Sequence, residues 1–319
     1  MIANPIFKLT LIAACALPGA AGCGSDDAAE PTAFSLRFAA QVDGKAVGCT
    51  DDLAGFGPDQ TAHIGLNDLR FYVSNLAFHD GAGEPVALTL DQNEFQYAAD
   101  AGAVAMIDLT GNTEGSCSTD ALAAAEGTAR THLALTGTTR VADVAQVSFD
   151  VGVPQALMKQ TIATTTPEGA PSPLDEMYWS WNSGYRHLVF NFTVTDGAGA
   201  TGAGYLHIGS RDCAGSEDGK ALEDRDRCTY VNTPAVALAG FDLAHDTVGL
   251  DLRKLISGVG FIAPIYDPVT FEVIGQGPGV ACHSSPTQPD CAPIFHEVGV
   301  DMATGTSAAA SDVVFAPMP

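Results

Sequence analysis

The sequence predicts an all-β protein, an antiparallel β-sandwich with a few short helices and disulfide-stapled loops. Three observations carry that expectation. Period-two alternation of apolar and polar residues recurs in many short segments, Gly, Pro and Asp turn signals separate them, and six cysteines lie beyond Cys23, which closes an N-terminal export signal. The first segments are FSLRFAAQV (34 to 42), closed by Asp43-Gly44, and LRFYVSNLAF (69 to 78), closed by Asp80-Gly81. Further strands are expected at 104 to 109, 129 to 137, 144 to 152, 187 to 195, 204 to 209, 236 to 243 and 271 to 275. Helical patterning is confined to 119 to 127, where Thr119 caps and Gly127 terminates, and to DLRKLISG (251 to 258). Many short strands with such turns fit a sandwich. No repeat, heptad or linker interrupts 35 to 300, so 34 to 300 reads as a single domain, followed by an Ala/Ser/Thr-rich tail, 301 to 319, expected to be peripheral.

The 319 residues carry 38 Asp and Glu against 14 Lys and Arg, a formal charge of −24, yet only 16% are charged and 46% are hydrophobic. Scarcity of cations, not a dense charge coat, makes the chain acidic, and its apolar content suffices for a core. Such a surface repels phosphate backbones and anionic headgroups, which excludes nucleic-acid binding and electrostatic membrane docking while favouring cations and metal ions.

Residues 1 to 22 have one early positive charge at Lys8, an apolar run broken by Pro18, and small residues ending at Cys23. That is the pattern of an export signal. Ala20-Ala21-Gly22-Cys23 resembles a bacterial lipobox, so Cys23 is expected to be lipidated, with 23 to 33 as the tether and the periplasm or outer membrane as the location. An oxidising compartment turns Cys49, Cys117, Cys213, Cys228, Cys282 and Cys291 into a disulfide framework. Fifteen connectivities are open. The short separations favour Cys213 with Cys228 and Cys282 with Cys291, which would leave Cys49 with Cys117.

Several catalytic patterns fail on context. Residues 197 to 202 satisfy G-x-G-x-x-G, but strands flank them where a dinucleotide site needs a following helix, so they read as a turn. His296-Glu297 is not completed, because position 300 is Val, and no G-x-S-x-G occurs. The acidic run 216 to 228 reads as a solvated loop stapled by its cysteines. With no recognisable nucleophile, acid/base pair or cofactor loop, the chain is expected not to be an enzyme.

Residues 177 to 187, MYWSWNSGYRH, contain both tryptophans of the protein. On an extended strand Trp179 and Trp181 would share a face, with Tyr178 and Ser180 opposite. The hairpin that follows places His187, Val189, Asn191, Tyr205 and His207 on one face, with His187 and His207 as diagonal neighbours able to share a metal ion. Neutral imidazoles suit copper. His63, His79, His132, His245, His283 and His296 receive no role from the sequence.

EMYWSWNSGYRHLVFNF, preceded by GVP (152 to 154) and APSPL (170 to 174) and followed by HIGS and Cys213, resembles the MbnP family of metallo-mystery-pair four-Cys proteins. LNDLRFYVSNLAF (66 to 78) and GVACHSSPTQPDC (279 to 291) extend the resemblance over roughly 34 to 300. It implies a periplasmic or surface copper-binding protein and a di-haem MbnH-type partner, related to bacterial cytochrome c peroxidases, that oxidises a tryptophan to kynurenine. It makes Trp179 and Trp181 the candidates for modification and assigns His207, in HIGS, to the metal. His187 enters through face geometry alone. The sequence departs from the family at Gln155-Ala156-Leu157, where Asn-His often follows GVP, and at Phe95-Gln96, where many members carry Trp-Gln. A second reading of the same segment is a carbohydrate-binding or adhesion lipoprotein that uses Tyr178, Trp179 and Trp181 as a stacking platform.

Overall fold

Alternation along Thr32–Val42 sends Phe34, Leu36, Phe38 and Ala40 inward and leaves Ser35 and Arg37 exposed. The computed structural model describes residues 30–110, 131–214, 219–267, 269–270, 272–307 and 314–319. Two sheets face one another across those inward side chains. The smaller runs Phe315–Met318, Thr247–Asp251, Thr32–Val42, Ala134–Thr139, Leu88–Leu90. The larger runs Ala235–Ala239, Gln146–Val151, Ala62–His79, Gly184–Thr195, Thr201–Gly209, Val280–His283, with shorter strands alongside. Phe38 meets Phe71 and Phe149 edge-on at 5.7 and 5.8 Å between ring centres, joining the two layers. The β-sandwich expected from the sequence is therefore the fold, and residues Pro31–Pro319 form one compact unit.

Two joints depart from the antiparallel expectation. Thr32–Val42 pairs in parallel with Thr247–Asp251, and Thr201–Gly209 in parallel with Val280–His283. In each case more than sixty residues of chain separate the partners, so no tight turn dictates their direction. The tail also needs correction. Val314 and Phe315 are buried, Phe315 packs edge-on against Phe71 and Phe149, and Phe315–Met318 is an edge strand on Thr247–Asp251. Low-complexity composition between 301 and 313 hid the anchoring aromatic at its end.

The strand Ala62–His79 is covered on both sides, which explains its seven consecutive buried residues. Leu69, Phe71 and Val73 face the inter-sheet core, whereas Tyr72 joins a second cluster with Val104, Met106, Leu157, Met158 and Tyr185. A helix over Gln155–Thr164, absent from the sequence expectations, supplies Leu157, Met158 and Ile162 to that outer cluster and buries Thr161 as well. The expected helix at 251 to 258 is one turn, Leu252–Leu255, capped by the Asp251 carboxylate accepting from the Lys254 amide. The one at 119 to 127 lies outside the described residues, as do the expected export segment and Cys23.

On the outer face, next to Tyr72, Arg70 is fully buried. Its guanidinium holds Asp68 with two bonds, 2.7 and 2.6 Å, and Glu176 with one at 3.2 Å. Asp108, opposite Arg70 in register, is pushed up to about 7 by burial, against the Thr110 hydrogen bonds and the Arg70 charge. Cys213–Cys228 and Cys282–Cys291 are disulfides, as the short separations suggested; the third expected pair includes Cys117, outside the described residues.

Candidate metal centre

The hairpin that carries most of the site turns at Asp196-Gly197, where the Asp196 carboxylate accepts from the amides of Ala198 and Ala200 at 2.9 Å. The G-x-G-x-x-G run is thus a turn leading into Thr201–Gly209. Register across the larger sheet then sets up one row: Asp108, Arg70, Val189, His207, His283. Alternation on the last strand buries Cys282 in the core, where its disulfide to Cys291 holds it, and turns His283 to the same outer face as His207. Ser284 locks the strand end, its hydroxyl donating to the His207 carbonyl at 3.0 Å and accepting from the Gly209 amide at 2.9 Å.

His207 and His283 consequently meet, with Nδ1 of one 3.0 Å from Nδ1 of the other. His207 is buried and its Nε2 lies 2.8 Å from the Asn191 Oδ1; His283 is exposed and opens the site to solvent. Burial, then the neighbouring His283, Arg186 and Arg70, hold His207 well below the ordinary imidazole range, so it is neutral at pH 7. Neutral imidazole is the ligating form. Two aromatic rings close the cluster: Tyr205 stacks on His283 at 6.2 Å, and Trp179 stands 5.9 Å from His207 and 6.4 Å from His283.

Trp179 is fixed from three sides. Tyr178–Ser180 pairs with the start of Gly184–Thr195, the Trp179 indole N–H donates to the Ser210 carbonyl at 3.0 Å, and Arg186 lies 5.8 Å from the ring centre. Gly209 makes the close approach possible, because a Cβ there would sit 2.8 Å from the indole nitrogen. Trp181 goes elsewhere. The strand ends at Ser180, a 3-10 turn begins at Trp181, and its indole donates to Thr165 O at 3.1 Å while packing edge-on against Tyr178 in the outer cluster. The expected side-by-side pair of indoles does not form, so Trp179 and Trp181 do not share one stacking face.

His187 also lies apart from His207. A register shift between Arg186 and Leu188 breaks the alternation that placed the two on one face. Its ring is buried, with Nδ1 accepting from the Val153 amide at 3.2 Å and Nε2 facing Val231 O at 3.0 Å and Ser210 Oγ at 2.9 Å. Both nitrogens are in use, so His187 is a pin, not a ligand. Gly152, in the GVP motif, has φ +148°, and a Cβ there would come within 2.8 Å of that ring. Burial pulls His187 down to about 4, against the bond to Val231. A folded-state value below the ordinary 6.5 means that its contribution to stability is present above pH 6.5 and disappears as pH falls toward 4, about 3 kcal/mol in all. Urea unfolding of wild type and His187→Gln at pH 7 and pH 4 is expected to show that loss in wild type and not in the variant; equal pH dependence in both would contradict it.

His283 is the residue that sequence reasoning missed. Its only local signal is period-two extension from Val280 past Cys282, and its meeting with His207 depends on a parallel pairing. Of the family departures, Phe95 stacks on His132 at 4.1 Å and Gln96 bonds the backbone of Asp91 and Thr136; Gln155 accepts from the Cys228 amide. Among the described residues, no group of three or more His, Cys, Asp or Glu side chains is placed to hold a metal ion. The two imidazoles fit as adjacent ligands of one ion, since donors bonded at about 2.0 Å each lie roughly this far apart, and a further donor has to come from another residue type.

A two-layer β-sandwich with an imidazole pair against an indole at one edge of the larger sheet is the class of protein that these features define. The chain belongs to the MbnP family, whose model matches residues 31–268. It is similar in structure to MbnP from Methylosinus trichosporium, with 23% identity and a TM-score of 0.67, over 91% of this chain and 99% of that one, a likeness that shows the fold. Among curated proteins, none matches in sequence.

Proposed function

We propose that the protein binds copper at His207 and His283 after a di-haem MbnH-type partner has oxidised Trp179 to kynurenine. The observation that carries this reading is the 3.0 Å approach of the two Nδ1 atoms with the Trp179 ring against both imidazoles. Indole nitrogen is a poor donor, because its lone pair belongs to the ring system. Oxidation changes that. Two equivalents of peroxide supply two oxygen atoms and four oxidising equivalents, cleaving Cγ–Cδ1 to give N-formylkynurenine and two waters. Hydrolysis then releases Cδ1 as formate, leaving a ketone at Cγ and an aryl amine where Nε1 was. That amine, beside two neutral imidazoles, completes a set of nitrogen donors suited to copper. When bound, copper supplies a redox-active Lewis acid; the chain's own part is to orient the imidazoles, exclude bulk water from His207 and keep its acceptor nitrogen unprotonated.

On this reading the protein is the partner's substrate and a metal carrier, not a catalyst. Export and an acyl chain at Cys23 place it in the periplasm or at the outer membrane, where the six remaining cysteines are oxidised. The exposed edge at His283 gives both the ion and the oxidising partner access. His207→Ala and His283→Ala, each oxidised by the partner first, are expected to lose more than about 100-fold in copper affinity by competitive titration. His187→Gln retains its affinity. Unchanged affinity in either alanine variant would reject the site.

A further inference from the structure

The geometry points to Asn191 as a positioning residue that fixes the tautomer of His207, an inference that rests on the copper reading above only for its consequence. Asn191 is 4% exposed and sits on Gly184–Thr195, opposite Tyr205 and diagonal to His207. Its Oδ1 lies 2.8 Å from His207 Nε2. A carboxamide oxygen only accepts, so Nε2 carries the ring proton and Nδ1 keeps its lone pair. That lone pair faces His283 Nδ1 at 3.0 Å, and the short contact requires His283 to donate from Nδ1 in the metal-free protein.

The consequence is a division of labour between the two imidazoles. His207 is pre-organised, with its acceptor nitrogen already aimed at the site. Exposed His283 is the one that must move its proton off Nδ1, and it can do so into solvent. The opposite tautomer of His207 would turn an N–H into the site and leave its Nε2 lone pair against the Asn191 oxygen, two acceptors in a buried contact. Asn191 thereby selects Nδ1 ligation from both residues, the role that a hydrogen-bonding partner plays for a ligating histidine. Strand alternation alone puts Asn191 on this face but does not reveal the bond to His207.

The test begins with metal-free, unmodified protein labelled with ¹⁵N. Long-range ¹H–¹⁵N correlation, with His207 signals identified by their loss in His207→Gln, is expected to show Nε2 protonated and Nδ1 bare. Asn191→Asp keeps an acceptor and retains that signature, whereas Asn191→Leu loses it. After oxidation by the partner, Asn191→Leu is expected to bind copper about 10- to 100-fold more weakly than wild type, and Asn191→Asp within a few-fold. A wild-type His207 protonated at Nδ1 would overturn the inference, whatever the variants do. So would a folded Asn191→Leu with the wild-type tautomer and affinity. A wild type with the expected tautomer that binds no copper after oxidation would sink the copper reading and leave the tautomer assignment standing.

Discussion

Protein carrying Trp179→Phe and treated with its oxidising partner and peroxide is expected to hold no copper at concentrations that saturate wild type, a loss of more than about 100-fold, whereas Trp181→Phe retains binding. Phenylalanine preserves a ring against His207 and His283 but cannot be opened to an amine. The lost indole bond to the Ser210 carbonyl costs only about 1 kcal/mol, so the variant stays folded. Trp181 is engaged with other partners, Thr165 O and the Tyr178 ring, and its replacement leaves the donor set intact. Equal copper retention in Trp179→Phe, measured by competitive titration, would contradict the assignment.

The largest stability effect is expected at Arg70, not at the candidate metal centre. Arg70→Met removes the cation that holds buried Asp68 with two hydrogen bonds, leaving that carboxylate buried without the Arg70 charge. Breaking such a pair from one side costs about 3–5 kcal/mol, because the remaining charge is stranded. Arg70→Met with Asp68→Asn in the same chain is expected to recover part of that loss. Chemical denaturation measures both. A single variant within 1 kcal/mol of wild type would mean that the network contributes little beyond what packing alone supplies.

Arg70 also marks the limit of what the sequence could reveal. LRFYVSNLAF is legible as a strand from its alternation and the turn that follows it, and so are most of its neighbours, because strand identity is a local property. That this strand lies in a sheet covered on both faces is not local. It depends on the helix Gln155–Thr164, whose polar Lys159, Gln160 and Thr residues obscure its apolar stripe, and on residues 170 to 177 folding over Tyr72. The disulfides at 213–228 and 282–291 were legible from short separations. The parallel pairing of Thr201–Gly209 with Val280–His283 was not, since it joins strands distant in the chain with no connecting turn to set their direction.

The site divides along the same line. His207 and Trp179 were legible as candidates because they sit in one short stretch and one hairpin. His187 was misassigned because strict alternation was carried through a register shift, which no single-strand pattern discloses. His283 was passed over because it reaches the site through a strand of four residues, held by Ser284 and the Cys282–Cys291 bridge.

The most direct test is peptide mapping by mass spectrometry of the wild-type protein recovered with its bound metal after oxidation by the di-haem partner. The account predicts that residue 179 has gained one oxygen and lost one carbon, that residue 181 is unchanged, and that one copper accompanies each modified chain. Copper held at that stoichiometry by chains in which Trp179 is intact would contradict it.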